Sequence, residues 1–283
     1  MDGFHVFDHA SEAGSWRIAS RAPNGALAPH VAAFNAYEER NTSFRRRREL
    51  PDGLAVLIFN LGKELRVEHP VGAVRTFGEG EGIYSGASAT YVVTETDGAQ
   101  TGAQIKFSLL GARLFLGRPL AELGDALIDP LEVMGRSAAE LRDRLAETPT
   151  QDERVELLMQ FVERRLGQPV RLAEELAFAL TRLNRADIRI ADLACEVSMS
   201  RERFSKAFRR EFGLTPKMFA RVRRFTRALR SREREPSLGG AGLAAACGYV
   251  DQAHMTRDFQ EFAGSPAAAL WRRGLPDGGG FVD

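Results

Sequence analysis

Apolar residues fall in short runs and alternations through the first 110 positions, then recur at helical spacing through the rest of the chain. Residues 54–60 (LAVLIFN) are a short apolar run, and 65–67 follow after Leu-Gly-Lys-Glu. This predicts strand, turn and strand. Residues 91–96 (YVVTET) are rich in β-branched types, Asp97-Gly98 is a turn signal, and 104–109 alternate as a further strand. Glycines 78, 80 and 82 are spaced like part of a phosphate-binding loop. They lack a following Lys-Ser/Thr and a helix start, which predicts a hairpin. Several short strands with glycine-rich turns predict a small sheet or barrel.

After Gly117 the period changes. Pro119 marks a helix start, with Leu120, Leu123 and Leu127 at helical spacing. Ser137 reads as an N-cap with Glu140 three residues on. Residues 150–166 place Val155, Leu158, Met159, Val162 and Leu166 along one face, and Gly167 to Pro169 read as a linker. From 170 on the pattern predicts helices throughout: 172–183, 190–197, 201–212, a long basic one over 216–232, then 243–247, 252–262 and 267–272. The glycine-rich end is expected to be disordered. The expected fold class is α+β. Residues 1–168 form a β-rich, barrel- or cupin-like sensor and dimerisation domain with helices. Residues 170–273 form an all-α domain, and 274–283 a disordered tail.

The helical part contains a repeat. Leu193, Ala194 and Ser198 recur as Leu243, Ala244 and Gly248, at an offset of 50. Ser200, Phe204, Phe208 and Gly213 recur as Asp251, Met255, Phe259 and Gly264, at an offset of 51. The change of offset falls in the turn between two short helices, where an insertion is cheapest. In each copy a short helix buries Leu and Ala, a tight turn follows, and Ser200 or Asp251 caps a second helix. The i, i+4, i+8 spacing turns Phe204 and Phe208, or Met255 and Phe259, inward. Arg201, Glu202, Ser205, Lys206 and Arg209 then face outward, as do Gln252, His254, Thr256 and Arg257 in the second copy. These side chains can reach base edges and phosphates. Each copy is a helix-turn-helix, whose second helix enters the major groove. The joining helix is on the order of 25 Å long, a spacer suited to recognition helices about one DNA turn, ~34 Å, apart.

Charge sharpens this picture. The net charge is +1, yet residues 1–169 carry 19 Lys+Arg against 24 Asp+Glu, and residues 170–283 carry 20 against 14. Between 201 and 234 there are 13 basic residues and three acidic ones, Glu202, Glu211 and Glu233. An acidic half joined to a basic half suits a sensor joined to a polyanion binder. No stretch approaches the ~18 apolar residues of a membrane span, and the start lacks the layout of a signal peptide. Cytoplasmic residence is expected. Cys195 and Cys247 cannot build a disulfide framework and read as small buried hydrophobes. The five histidines are scattered, without His-x-His, so no metal, cofactor or catalytic site is expected. Arg45 to Arg48 could bind an anionic effector or contact DNA, but a solvated loop is the favoured reading.

The repeat resembles the AraC/XylS family of transcription regulators. The match is carried by Ile190, Leu193 and Ala194; Ser200, Phe204 and Phe208; Phe212-Gly-Leu-Thr-Pro216; Arg224, Phe225 and Ala228; Ala246-Cys-Gly-Tyr249; Asp251-Gln-x-His-Met-x-Arg-Asp-Phe259; and Gly264-Ser-Pro266. It covers about residues 170–273, with Ser198 standing where the family usually has Gly. By resemblance, base contacts fall on Glu202, Ser205, Lys206, Gln252, His254, Thr256 and Arg257, and phosphate contacts on Arg201 and Arg209. In the N-terminal half, Tyr37-Glu-Glu-Arg40, Arg48-Glu-Leu-Pro51 and Asn60-Leu-Gly62 look similar to bacterial regulators with an uncharacterised sensor.

The expected function is a sequence-specific DNA-binding regulator controlled by a small-molecule effector, not an enzyme. Its expected partners are an operator in double-stranded DNA, the effector, a second copy of the chain and, for an activator, RNA polymerase. One alternative is a DNA-binding regulator without ligand. Another is an enzyme fused to a DNA-binding module, which would want a nucleophilic cysteine outside the two motifs.

Overall fold

The computed structural model describes residues 4–43, 45–70, 72, 74–124, 127–185, 187–235, 237–275 and 280–283. The N-terminal half holds strands β1 (Phe4–Ser11), β2 (Gly14–Arg21), β3 (Val31–Arg40), β4 (Arg46–Glu49), β5 (Ala55–Asn60), β6 (Leu65–Glu68), β7 (Val74–Phe77), β8 (Gly82–Ser85), β9 (Val92–Glu95) and β10 (Gln100–Phe107). Helices α1 (Leu109–Leu116), α2 (Pro130–Met134), α3 (Arg136–Glu147) and α4 (Gln151–Leu166) follow. The strands form two antiparallel sheets. One runs β1-β2-β3-β10-β5-β8; the other runs β4-β9-β6-β7 and gains a last strand, β11 (Phe281–Val282), beside β4.

Period-two alternation assigns the faces of the larger sheet. Ile105 pairs with Phe34 on one side and Leu57 on the other, and Ala103 pairs with Ala36 and Phe59. All of these side chains are buried, in one cluster with Val155, Leu158 and Val162 of α4. Helix α4 thus roofs this face, as its apolar stripe requires. The opposite register positions of β3, β5 and β10 carry a polar network. Arg47 of β4 meets Glu39 of β3 at 2.5 Å, and Gln100 donates to Asn60 Oδ1 at 3.0 Å. The Asn60 amide donates to the carbonyls of Phe77 and Gly78.

Several local expectations are corrected. Residues 4–40, which carry no simple apolar run, supply three strands of the larger sheet. Arg46 to Arg48 lie in strand β4 rather than in a solvated loop, because each guanidinium finds a carboxylate: Glu95 and Glu68 for Arg46, Glu39 for Arg47, Asp283 for Arg48. Glycines 78, 80 and 82 do not make a hairpin; β7 and β8 belong to different sheets, and the glycines carry the chain between them. Ser137 lies inside α3, where its hydroxyl donates back to the Met134 carbonyl, and Gly135 takes the N-cap position. Leu120–Glu122 forms only a 3-10 turn.

The C-terminal half is helical: α5 (Glu174–Arg185), α6 (Ile190–Glu196), α7 (Arg201–Phe212), α8 (Pro216–Arg234), α9 (Gly240–Ala246), α10 (Gln252–Ala263) and α11 (Ala267–Trp271). It packs against the β-rich half at several places, among them Gly53 against Phe219 and Val222 of α8 and two that hold the ends of α7 and α10. At one, Leu120 and α1 meet α7, and Arg113 of α1 pairs with Glu211. At the other, the end of α10 seats on Tyr91. Gly264 caps α10 at φ +65°, and a Cβ there would lie 2.6 Å from the Tyr91 ring, so only glycine admits this approach. Arg48 stacks 4.4 Å from the same ring and donates to the Ala263 carbonyl at 2.5 Å.

Of the tail expected to be disordered, residues 276–279 lie outside the described residues. Phe281 and Val282 pair with Arg48 and Arg47, and the Asp283 carboxylate receives Arg46 and Arg48. An arginine-bearing strand edge is matched by an apolar pair ending in an acid.

Candidate nucleic-acid interface

Both copies of the repeat fold as read. In the first, α6 buries Leu193 and Ala194, and Ser200 caps α7 by accepting the Arg203 amide at 3.3 Å. In the second, α9 buries Leu243 and Ala244, and Asp251 caps α10 by accepting the His254 amide at 2.6 Å. Phe204, Phe208, Met255 and Phe259 are all buried. Phe204, Phe208 and Phe212 pack edge to face down the inner side of α7, and Phe259 meets Phe225 of α8 in the same way. The turns between helices place Ser198 at φ +55° and Gly248 at φ +79°. The first is a rare position for a residue with a side chain, since the left-handed region crowds Cβ against the backbone.

The outward set lies on the two second helices. Arg201, Glu202, Lys206 and Arg209 are exposed on α7, with Ser205 half-buried. Gln252, Thr256 and Arg257 are exposed on α10, and His254 is half-buried with its ring edge-on to Tyr249. Lys206 and Glu202 form an i, i+4 ion pair at 2.6 Å. The Thr256 hydroxyl donates to the Gln252 carbonyl at 2.9 Å. Arg257 and Arg209 make no ion pair with a described residue.

A groove of about 810 Å³ runs between the two motifs. From the outward set it gathers Arg201, His254 and Arg257. The other six lie outside it. The sequence reading missed the groove's remaining basic lining: Arg189, Lys217, Arg221 and Arg224. The signal was present as the arginine run along 216–234, but which of those arginines face the groove depends on how α8 is rotated.

Three α8 arginines hold the motifs in fixed relation. Arg221 donates to Asp258 and Glu261 of α10, both at 2.6 Å, and the Glu261 and Asp258 carboxylates hold its guanidinium well above the usual arginine range. Arg224 stacks 5.1 Å from the Tyr249 ring and donates to the Gly248 carbonyl at 3.2 Å. Arg227 makes two 2.9 Å bonds to Asp187, just ahead of α6. Arg221 and Arg224 thus bind α8 to the second motif, and Arg227 binds it to the entry of the first. Burial pushes the Tyr249 hydroxyl above its ordinary range. Cys247 is buried with its thiol 3.7 Å from Ser231 Oγ, whereas Cys195 is exposed on α6, contrary to the buried reading. Among the described residues no group of three His, Cys, Asp or Glu is placed to hold a metal ion, and no helix is long and apolar enough to cross a membrane.

Two capped helix-turn-helix units joined by one long helix define a DNA-binding module. Comparison with known families agrees: a helix-turn-helix domain model matches residues 193–273, and this is a DNA-binding domain of AraC type. A second model, a domain of unknown function (DUF6597), matches residues 19–129. No curated protein matches in sequence. Among solved structures, the chain is similar to an apo lysine-to-alanine variant of ToxT from Vibrio cholerae strain SCE256. The identity is 11%, covering 88% of this chain and 98% of that one, with a TM-score of 0.50. Unsaturated fatty acid-bound wild-type ToxT from the same strain gives 10% identity over 88% and 96%, with a TM-score of 0.47. At 11% identity the likeness to the apo variant is one of fold: a β-rich N-terminal domain followed by a helical helix-turn-helix domain.

Proposed function

We propose that this protein is a transcription regulator that reads duplex DNA with α7 and α10 and answers to a small-molecule effector held by its N-terminal domain. The observation that carries the reading is the clamped pair of motifs, each offering a capped, outward polar helix face beside an arginine-lined groove. In this reading Glu202, Ser205, Lys206, Gln252, His254, Thr256 and Arg257 meet base edges, and Arg201 and Arg209 meet phosphates. Arg189, Lys217 and Arg224 add positive charge along the backbone path. Residues 1–168 act as sensor and dimerisation domain, and 170–273 as the DNA-binding domain.

Effector control is supported by the contacts between the halves. Arg113 and Tyr91 of the β-rich half hold the ends of α7 and α10, so a change in that half reaches both recognition helices. Footprinting of purified protein on sheared genomic DNA from its own source tests the reading. Two protected blocks about one helical turn apart, ~34 Å, are expected. Diffuse, salt-sensitive binding alone would overturn sequence-specific reading.

A further inference from the structure

A cavity of about 520 Å³ lies among α1, α3, α4 and the chain leading into the DNA-binding half. This is within the range of small-molecule sites, ~300–1,000 Å³. Phe115, Leu141 and Phe161 supply an apolar floor, and Arg144, Arg164 and Arg165 supply charge. Glu140 is the acid among its lining residues, so the lining is net positive.

Arg165 is the unusual group. Its guanidinium sits 5.1 Å from the Phe115 ring and 6.0 Å from the Phe161 ring. Nε donates to the Phe115 carbonyl and Nη1 to Ser137 Oγ, both at 3.3 Å, while Nη2 makes no hydrogen bond to a described residue. Arg47, Arg48, Arg113 and Arg221, each held between elements, each meet a carboxylate. Arg165, Arg164 and Arg144 meet none among the described residues. Desolvation already pulls the Arg165 guanidinium below its ordinary range. A half-buried cation fixed on two aromatic rings, with an open donor edge and no anion, is a site short of its counter-charge.

We propose that this cavity is the effector site, and that it takes a small organic carboxylate with an apolar body. The carboxylate pairs with the open edge of Arg165, supported by Arg144 or Arg164, and the body lies on Phe115, Leu141 and Phe161. The location suits regulation. Residues 168–170 line the cavity, and the next residue, Arg171, gives its carbonyl to Arg113 Nη2 at 2.8 Å. Arg113 lies two residues before Phe115 on the same helix and grips Glu211 of α7. A ligand here therefore touches both the linker and the helix that holds the first recognition helix.

This inference rests on the regulator reading, and the test separates the two. The full chain is titrated calorimetrically with ω-phenylalkanoates of two to five methylenes, with the matching amides, and with inorganic phosphate. At least one carboxylate is expected to bind, its amide at least tenfold more weakly. Arg165→Gln is expected to weaken the carboxylate at least tenfold. The exposed pair Arg144→Gln/Arg164→Gln is expected to weaken it severalfold, and serves if Arg165→Gln does not fold. Binding of no carboxylate, equal binding of the amide, displacement by phosphate at equal concentration, or wild-type affinity in the folded variants would each overturn the site. DNA retardation is measured alongside. A bound carboxylate that leaves DNA affinity unchanged would overturn its role as effector, whereas failure of the chain to bind DNA both with and without the carboxylate would instead sink the regulator reading.

Discussion

Arg113 of α1 donates its Nε to the Glu211 carboxylate of α7 at 2.6 Å, joining residues 98 positions apart with both side chains nearly sealed from solvent. Its Nη2 takes the Arg171 carbonyl, so one guanidinium fastens the β-rich half to the linker and to the first recognition helix. Removing one partner of a buried pair leaves the other charged and unpaired, which costs more than the pair itself contributes. Arg113→Met is therefore expected to destabilise the protein by about 3 kcal/mol, and Arg113→Met/Glu211→Met by less than that single change. Urea unfolding of the three proteins checks this; a double variant weaker than Arg113→Met would refute it.

The two turns differ by a natural substitution. Ser198 holds φ +55° with a side chain, and Gly248 holds φ +79° without one. Ser198→Gly removes steric cost in the left-handed region but adds freedom to the unfolded chain, so a net gain of about 0.5 kcal/mol is expected. Gly248→Ala adds strain and brings a Cβ to 2.9 Å from Asp187 Oδ2, an atom already bound to Arg227. A loss of about 1–2 kcal/mol is expected there. Thermal melts of the two variants, moving in opposite directions, are the measurement.

These turns also show what was legible in the sequence. The repeat fixes the caps Ser200 and Asp251 and the inward residues Phe204, Phe208, Met255 and Phe259, because helical spacing and capping chemistry are local. Arg221 and Arg227 were visible only as charge, and Arg224 only as a residue of the family match with no partner assigned to it. Their clamps to Asp258, Gly248 and Asp187 depend on how two motifs are set against one helix, which no local pattern encodes. The strands before residue 41 were missed because edge strand β1 is largely exposed and β3 buries Asn35 and Glu39 along with Phe34. Alternation of apolar with polar residues fails where a sheet's second face carries a buried polar network. Arg46 to Arg48 looked like a solvated run for the same reason: their acids come from positions 39, 68, 95 and 283.

His30 predicts a pH dependence. Burial lowers its pKa from 6.5, and its Nδ1 is buried without a hydrogen-bond partner. The unfolded chain therefore binds the proton more readily than the folded one, and stability rises with pH across this interval. The contribution is complete above about 6.5 and is lost as pH falls from there through the lower folded value. His30→Gln is expected to flatten the loss in urea midpoint between pH 7.5 and pH 5 relative to wild type. An unchanged slope would show that His30 titrates as it does in the unfolded chain.

The Glu202–Lys206 pair on α7 predicts how the first motif handles DNA. Both side chains are more than three-quarters exposed, so their 2.6 Å contact adds little to folding. With α7 in the groove, as proposed, the pair is shared with phosphates or bases, and the two residues then act in opposite senses. Lys206→Ala removes one cation and frees Glu202 to repel the backbone, so affinity is expected to fall while the salt slope shallows by about one unit. Glu202→Gln leaves Lys206 free for phosphate, so affinity for unrelated DNA is expected to rise. If Glu202 reads a base, discrimination at one base pair of the footprinted site should also fall by about 1–3 kcal/mol. Salt-dependent titrations of both variants, on the footprinted site and on scrambled DNA, measure these effects. Loss of discrimination only with Lys206→Ala would reassign base reading to the lysine, and no change with either would take α7 out of the interface.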